Sequence, residues 1–580
     1  MRYTDFCVSL RVGKGFCTAT CMYNIINHKS FDSWFPFFLV FGIAVNAIAL
    51  FTSVMDQDSA LYAAIAKTMM QSGDWLNMMN FGYDWLDKPH LPFWITALSF
   101  SVFGVSAFAC KLPSCLVCLW GVFYLYKLAE LFYNKRVAQI ASVIYLTSLH
   151  VILSNFDVRA EGYLTTFIIA GIYFLYKIYK SGRWRNIVLA ALFCAAAVMT
   201  KGTFVLLTLL GGFLIYWMLT NQWRQFIQWR WWLVLLLTFL FITPELYCLY
   251  AQFDLHPEKT VYGQQHVSGI RFFFWDSQFG RFFNTGPIRG KGDPSFFIHT
   301  TLWAFLPWSA ALAAGVIAFL KRVKQQWNKE IMILVWSATL TFVLFSLSKF
   351  QLPHYIVILC PHFSIFVAAW LISLRKESVT RALTATVQAM IALLIAVTGW
   401  LIIYFPFFNG WFIAVASLTV GLALTGFRKA GQLNRFLWCG VCFSFLCSVF
   451  FATFLYGTLM QYDAGMNAAR WINHHHPHEK VVMMDCKNSS LSFYLQSTSK
   501  AQEQITGADV ASQDQSFLLF CPLSSLSKID NQKITVKLLK EFDYFRITKL
   551  TAKFLSSKSR PAEIEKYVVA RCSPQINSSD

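Results

Sequence analysis

Charge is what this sequence has least of. Asp, Glu, Lys and Arg make up 13% of its 580 residues, and 56% are hydrophobic. Soluble domains carry roughly 25% charged residues, so the composition excludes a soluble globular chain and points to an integral membrane protein. Acid is the scarcer sign, with 29 Asp and Glu against 49 Lys and Arg and a formal net charge of +20. That surplus does not indicate nucleic acid. The basic residues fall at the ends of apolar runs, where they set orientation and meet anionic lipid headgroups. The 15 cysteines show none of the paired spacings of a structural zinc site, and many lie inside apolar runs, where Cys behaves as a small hydrophobe. Cys486, Cys521 and Cys572 lie in the polar tail, which leaves one disulfide open if that tail is outside the cytoplasm. A cleavable signal peptide is missing too: residues 1–33 are polar and basic, and the run after them is too long for a signal core. No internal repeat of the solenoid or transporter kind is visible.

Long apolar runs are what the chain does have. Crossing about 30 Å of hydrocarbon takes roughly 20 residues. Runs of suitable length occur at 34–54, 112–131, 137–154, 163–180, 186–200, 202–220, 232–250, 297–320, 331–348, 353–374, 383–405, 408–427 and 434–459. A further run, 91–109, opens on Leu91-Pro92 after a polar loop. With the N-terminus cytoplasmic and 91–109 interfacial or re-entrant, basic clusters such as Lys177/Lys180/Arg183/Arg185 and Arg375/Lys376/Arg381 all fall inside. If 91–109 crosses, every later cluster flips. The expectation is therefore an all-α polytopic membrane protein of about 13 spans over 34–459, preceded by a cytoplasmic segment 1–33. The tail 460–580 changes to short β-like runs with helical punctuation and reads as a small extracytoplasmic α/β domain. His474-His475-His476 at its start reads as a solvated turn or a metal-binding tract.

This topology gathers the rare carboxylates on one side. Asp56, Asp58, Asp74, Asp84 and Asp87 share an outer loop within 55–111; Asp157, Arg159 and Glu161 form a second; 251–296, with Asp276 and Arg281, forms a third; Lys201 and Lys349 sit at outer span ends. Charges beside a bilayer are costly and mark chemistry more often than packing.

The first loop reads Asp58-Ser59-Ala60-Leu61-Tyr62-Ala63, then Ser72-Gly73-Asp74-Trp75, then Asp87-Lys88-Pro89. This resembles the membrane glycosyltransferases of the GT-C fold that use polyprenyl-phosphate sugars, notably the protein O-mannosyltransferases and the lipid A aminoarabinose transferases. Arg159-Ala160-Glu161, Thr200-Lys201-Gly202, Phe272-Phe273-Phe274-Trp275-Asp276 with Arg281, and Ser348-Lys349 with Leu352-Pro353-His354-Tyr355 match further stretches in the same order. The chain departs from the family pattern at Ser59 and Leu61, where the family carries Glu and commonly a basic residue, and at Asp276-Ser277, where the aminoarabinose transferases carry a Glu-His pair.

The resemblance implies transfer of a sugar from an undecaprenyl- or other polyprenyl-phosphate donor to a lipid A/lipopolysaccharide, glycan or protein acceptor, with inversion, at the periplasmic face of an inner membrane. The donor is already activated, so the enzyme must hold the departing phosphate with cations and align the acceptor oxygen opposite it. Asp58, Asp87 and Glu161 are the expected catalytic carboxylates. Lys88, Arg159, Lys201, Arg281, Lys349, Tyr355 and Tyr62 are the expected substrate-binding groups. No cofactor is required, no metal ligand set is assigned, and divalent-metal dependence stays open. Plainer roles stand beside these. Asp58 also suits a helix N-cap, Asp56 a loop charge, Lys88 a snorkelling lysine, and Arg159–Glu161 a simple ion pair. A flippase, or a ligase for lipid-linked oligosaccharides, is the rival reading. A flippase predicts charge near the bilayer midplane rather than at one surface.

Overall fold

A computed structural model describes residues 33–55, 58–321, 329–405, 411–426, 431–496, 504–505, 515–529 and 534–574. The expected N-terminal segment and Asp56 lie outside these. Among the described residues, seven helices are long and apolar enough to cross a membrane: Ser33–Phe51, Ala107–Phe132, Ala160–Ser181, Trp184–Lys201, Pro353–Ser373, Glu377–Tyr404 and Gln432–Tyr462. Counting the bent pairs Lys135–Leu146 with Leu149–Phe156 and Trp229–Phe241 with Thr243–Asp254 as one span each raises the number to nine. The other four of the expected 13 runs contain shorter apolar helices of 10–17 residues: Val205–Leu219, Ser309–Leu320, Met332–Leu347 and Trp411–Ala423. At about 1.5 Å per residue these fall short of a 30 Å slab on their own.

Local chemistry sets the helix ends. Ser106 and Asn134 cap Ala107–Phe132 and Lys135–Leu146 by accepting from the amides of Ala109 and Val137. The expected interfacial run 91–109 ends earlier, as helix Leu91–Phe103, because Gly104 takes a positive φ and Ser106 starts the next helix. The bend of 51° after Leu146 exposes backbone inside the bundle, and neighbours satisfy it. Ser444 Oγ donates to the Thr147 carbonyl at 2.5 Å, Trp308 Nε1 donates to Thr147 Oγ1 at 3.2 Å, and the Leu149 amide donates to the Leu306 carbonyl at 2.9 Å. Asn155 bridges to Asn46 at 2.8 Å, and Asn46 donates to the Leu146 carbonyl. These bonds lock Ser33–Phe51 against the bend. The second bend, 40°, comes at Thr243-Pro244, where Pro opens the new helix. Helices Val205–Leu219 and Met332–Leu347 approach so closely that a Cβ on Gly212 would stand 2.2 Å from the Ile333 carbonyl.

From Asp58 onward the first loop is structured. Helix Asp58–Ser72 leads into a hairpin, β1 (Met79–Asn80) against β2 (Tyr83–Asp84), turned by Phe81 and Gly82, both at positive φ. Its return passes Asp87-Lys88 into helix Leu91–Phe103.

Beyond the spans, a mixed sheet has the order β4-β3-β5-β7-β6. Its strands are β3 (Val481–Met484), β4 (Gln504–Ile505), β5 (Phe517–Pro522), β6 (Ile534–Tyr544) and β7 (Glu565–Pro574). β3 runs parallel to β4 and β5; β7 is antiparallel to β5 and β6. Helices Ala464–His475 and Ser489–Tyr494 belong to this region. The triple histidine closes the first of these helices rather than forming a loop, and His476 contacts Glu479 at 2.7 Å. Cys486, Cys521 and Cys572 are buried free thiols.

Candidate active site

Two charged clusters meet where the three loops converge. The first rims a cavity of about 530 Å³ whose walls are mainly Phe and Leu side chains, including Phe204, Leu207, Phe273 and Phe345. At one end stand Asp87, Lys88, Lys201, Arg281 and Tyr355. Lys88 Nζ donates to Asp87 Oδ2 at 2.6 Å, and Arg281 Nη2 donates to Asp87 Oδ1 and to the Asp87 carbonyl. Burial works to raise the Asp87 carboxyl, but Lys88 and Arg281 beside it hold it well below the usual carboxylate range. Burial pulls the Lys88 ammonium below its ordinary value, with Asp87 opposing. Arg281 packs its guanidinium 5.6 Å from the Phe350 ring centroid. Its buried Nε has no hydrogen-bond partner among the described residues. Lys201 Nζ pairs with Glu161 and lies 3.9 Å from the Tyr355 ring centroid.

Lys88, Lys201 and Arg281 thus crowd three basic groups against Asp87 and Glu161 at the cavity end. An anionic group fits this cluster of donors, and the orphaned Arg281 Nε–H is a donor for it.

The second cluster is built on Arg159, which precedes helix Ala160–Ser181. Its Nη1 donates to Asp58 Oδ2 at 2.6 Å and its Nε to Asp157 Oδ2 at 2.6 Å. Against the pull of burial, Asp157 and Asp58 hold this guanidinium firmly charged. Ser59 Oγ donates to Asp157 Oδ1 at 2.6 Å. Asp58 is the first residue of its helix, yet its carboxylate turns to Arg159, and its other oxygen is unbonded among the described residues. With its side chain 42% exposed, Asp58 is open to an incoming group.

His354 joins the clusters. Its Nδ1 lies 3.0 Å from Arg159 Nη1 and its Nε2 3.5 Å from Glu161 Oε1. A guanidinium only donates, so the ring proton belongs on Nε2. Tyr62 stands at the same junction. Its phenol is held well above its ordinary value by burial first and then by Asp58 and Asp87, and so remains a donor. Its ring packs edge-on against Phe93, centroids 5.1 Å apart.

Of the expected site residues, Asp87, Lys88, Lys201, Arg281 and Tyr355 line the cavity; Asp58, Arg159 and Tyr62 stand beside it. Two are placed differently. Glu161 is 2% exposed behind Lys201 and His354, so no substrate in the cavity reaches it while those pairs hold. Lys349 has an exposed side chain that does not line the cavity; its backbone amide instead donates to the Phe282 carbonyl at 3.1 Å.

Sequence reasoning passed over His354, although it adjoins Tyr355 in a matched stretch. It also passed over Glu245, whose signal was plain: a lone acid inside an apolar run. Glu245 is fully buried and lines the cavity. Its carboxylate accepts from the His90 backbone amide at 2.9 Å and contacts His90 Nδ1 at 3.0 Å, while His90 Nε2 faces the Leu76 carbonyl at 2.9 Å. Two turns on, Gln252 accepts from the Met78 amide and donates to the Met78 carbonyl. Helix Thr243–Leu249 and its extension through Gln252 thus anchor both ends of the segment carrying Asp87 and Lys88. Among the described residues, no group of three or more His, Cys, Asp and Glu side chains is placed to hold a metal ion.

Comparison with known proteins bears on the fold and on the relatives of this chain. Residues 87–248 match the family model described as dolichyl-phosphate-mannose-protein mannosyltransferase. The chain is 27% identical over 325 residues to an undecaprenyl phosphate-alpha-4-amino-4-deoxy-L-arabinose arabinosyl transferase of Shewanella sediminis, covering 54% of this chain and 55% of that one. It is 24% identical over 337 residues to a Pseudomonas aeruginosa protein of the same name, covering 56% and 57%. The chain thus spans little more than half the length of the curated relatives it matches. In three dimensions it is similar to ArnT from Cupriavidus metallidurans bound to undecaprenyl phosphate, with a TM-score of 0.71, 16% identity, and coverage of 93% of this chain and 98% of that one.

Proposed function

We propose, for a chain that has the GT-C fold and is related in sequence to the polyprenyl-phosphate-sugar transferases, that it moves a sugar from an undecaprenyl-phosphate carrier to an acceptor at the outer, periplasmic face of the inner membrane. The observation that carries the reading is the cation-rich end of an apolar cavity: Lys88, Lys201 and Arg281 against Asp87 and Glu161, with the Arg281 Nε–H unpaired among the described residues. A lipid phosphate bearing a long hydrocarbon chain needs this combination. Cavities of some 300–1,000 Å³ are the usual size for holding most of a ligand. The sugar named for the relatives, 4-amino-4-deoxy-L-arabinose, is the proposed cargo, and lipid A the proposed acceptor.

The chemistry is one in-line displacement. The acceptor oxygen attacks the anomeric carbon; the bond from that carbon to the lipid phosphate oxygen breaks; its electron pair leaves with the phosphate. Lys88 and Arg281 stabilise the charge gained there, with Tyr355 beside them. Lys201 extends the positive end, and Glu161 holds Lys201 in place. On the opposite side, Asp58 takes the proton of an attacking hydroxyl, or orients the nucleophile if it is already anionic. Arg159, gripped by Asp157, fixes Asp58. Tyr62 donates between the two sides. Attack opposite the leaving group inverts the anomeric centre.

The test is paired. Lipid A from a strain lacking this chain should lose the added-sugar mass in spectrometry and regain it on complementation. Asp58→Asn should express normally yet transfer no sugar in reconstituted vesicles. Unchanged lipid A masses, or an active D58N, would remove the reading.

A further inference from the structure

The C-terminal region holds no catalytic motif, yet one short piece of it grips the first loop on both sides of Asp58. Before Asp58, the Val54 amide donates to the Tyr494 hydroxyl at 2.6 Å, and that hydroxyl donates back to the Val54 carbonyl at 3.1 Å. After it, Lys67 is 4% exposed and inserts its ammonium into the end of helix Ser489–Tyr494. There it donates to the carbonyls of Ser492 at 2.8 Å, Phe493 at 3.3 Å, and Leu495. Three carbonyls match the three donors of an ammonium, and the C-terminal end of a helix favours a cation. Phe493 stacks on Phe100, centroids 6.1 Å apart, and Arg470 lies 5.3 Å from the Tyr494 ring centroid. The gripping helix is itself held: Asn473 donates to the Tyr494 carbonyl and accepts from the Gln496 amide, both at 2.8 Å.

From this arrangement we propose that helix Ser489–Tyr494 is a positioning element of the transferase site, with Lys67 and Tyr494 as positioning residues that set where Asp58 stands. The inference rests on the acceptor-side role assigned to Asp58 above. The lever is short and stiff. Lys67 lies nine residues from Asp58 on one helix, about 14 Å at 1.5 Å per residue, so a tilt of about 5° at Lys67 displaces Asp58 by about 1 Å. A misplacement of about 1 Å costs on the order of 10² in rate. The donor cavity has none of these contacts in its walls, so the two sides of the reaction should respond differently.

The experiment uses the full chain in vesicles. Tyr494→Phe removes one oxygen and both bonds to Val54; Lys67→Met empties the carbonyl cage; Lys67→Arg refills it with a cation. Turnover of undecaprenyl-phosphate aminoarabinose with lipid A is measured beside binding of undecaprenyl phosphate alone. Expected results are a kcat lowered about tenfold in Y494F and about 100-fold in K67M, most of it restored in K67R, with undecaprenyl phosphate binding within about twofold of wild type. A kcat for Y494F and K67M within about twofold of wild type would overturn the proposal, as would an equal loss of lipid binding. If K67M does not fold, Y494F decides. Asp58→Asn measured in parallel separates the failures. An active D58N, or a wild type that transfers no sugar, brings down both readings; an inactive D58N beside an unimpaired Y494F overturns only this one.

Discussion

Replacing Lys88 by Met tests the charge arrangement most directly. Lys88, Lys201 and Arg281 oppose Asp87 and Glu161, and K88M removes one of these three basic groups. The departing phosphate gains about one negative charge as its bond to the sugar breaks. At about 4 Å and an effective dielectric near 20, one lost cation weakens the stabilisation of that charge by about 4 kcal/mol, roughly three decades in rate. Arg281 remains against Asp87 and takes up part of the loss, so the expected fall in kcat is about 10²–10³, the range seen when one donor to a developing anion is removed. Arg281 also keeps Asp87 ionised and paired, so thermal stability should change little. The assay is sugar transfer in vesicles at saturating donor, with undecaprenyl phosphate binding measured separately. The free phosphate product carries more negative charge than the sugar-bearing donor, so product affinity should fall more than donor KM rises. A K88M turnover within about tenfold of wild type would refute the assignment.

Three further outcomes are expected. Burial lowers the Lys88 ammonium from its ordinary value despite Asp87. Its charge is present at low pH and lost as pH rises, so transfer should decline on the alkaline side below the ordinary lysine value near 10.4. Lys88→Arg, whose guanidinium does not titrate there, should move that decline to higher pH, and an unmoved profile would assign it to another group. Lys201→Met strands the buried Glu161 carboxylate and should lower stability by about 3–5 kcal/mol; adding Glu161→Gln should recover much of it, read as Tm in detergent. A reporter fused after residue 460 should be active only on the outer side of the membrane, and cytoplasmic activity would invert the topology.

Much of this was legible in one dimension because membrane proteins separate their signals. Hydrocarbon demands long apolar segments, so the helical bundle shows in composition alone. The scarcity of charge turns each loop carboxylate into a candidate, and ordered short motifs around Asp58, Asp87-Lys88, Arg159, Arg281 and Tyr355 identified the groups that converge. The α/β tail was legible from alternation and turn residues.

Tertiary structure decided the rest, for reasons of distance and partnership. Sequence could not distinguish Lys201, which enters the cavity, from Lys349, which is exposed outside it, since both sit at span ends in matched motifs. Nor could it show that Glu161 is sealed behind His354 and Lys201, or that His90 reaches Glu245 across 155 residues. The grip of Tyr494 on Val54 joins positions 440 residues apart. Local patterning along a chain reports what each segment must bury, because burial follows from hydropathy and period. Which charge meets which depends on how whole segments pack, and only the folded bundle determines that.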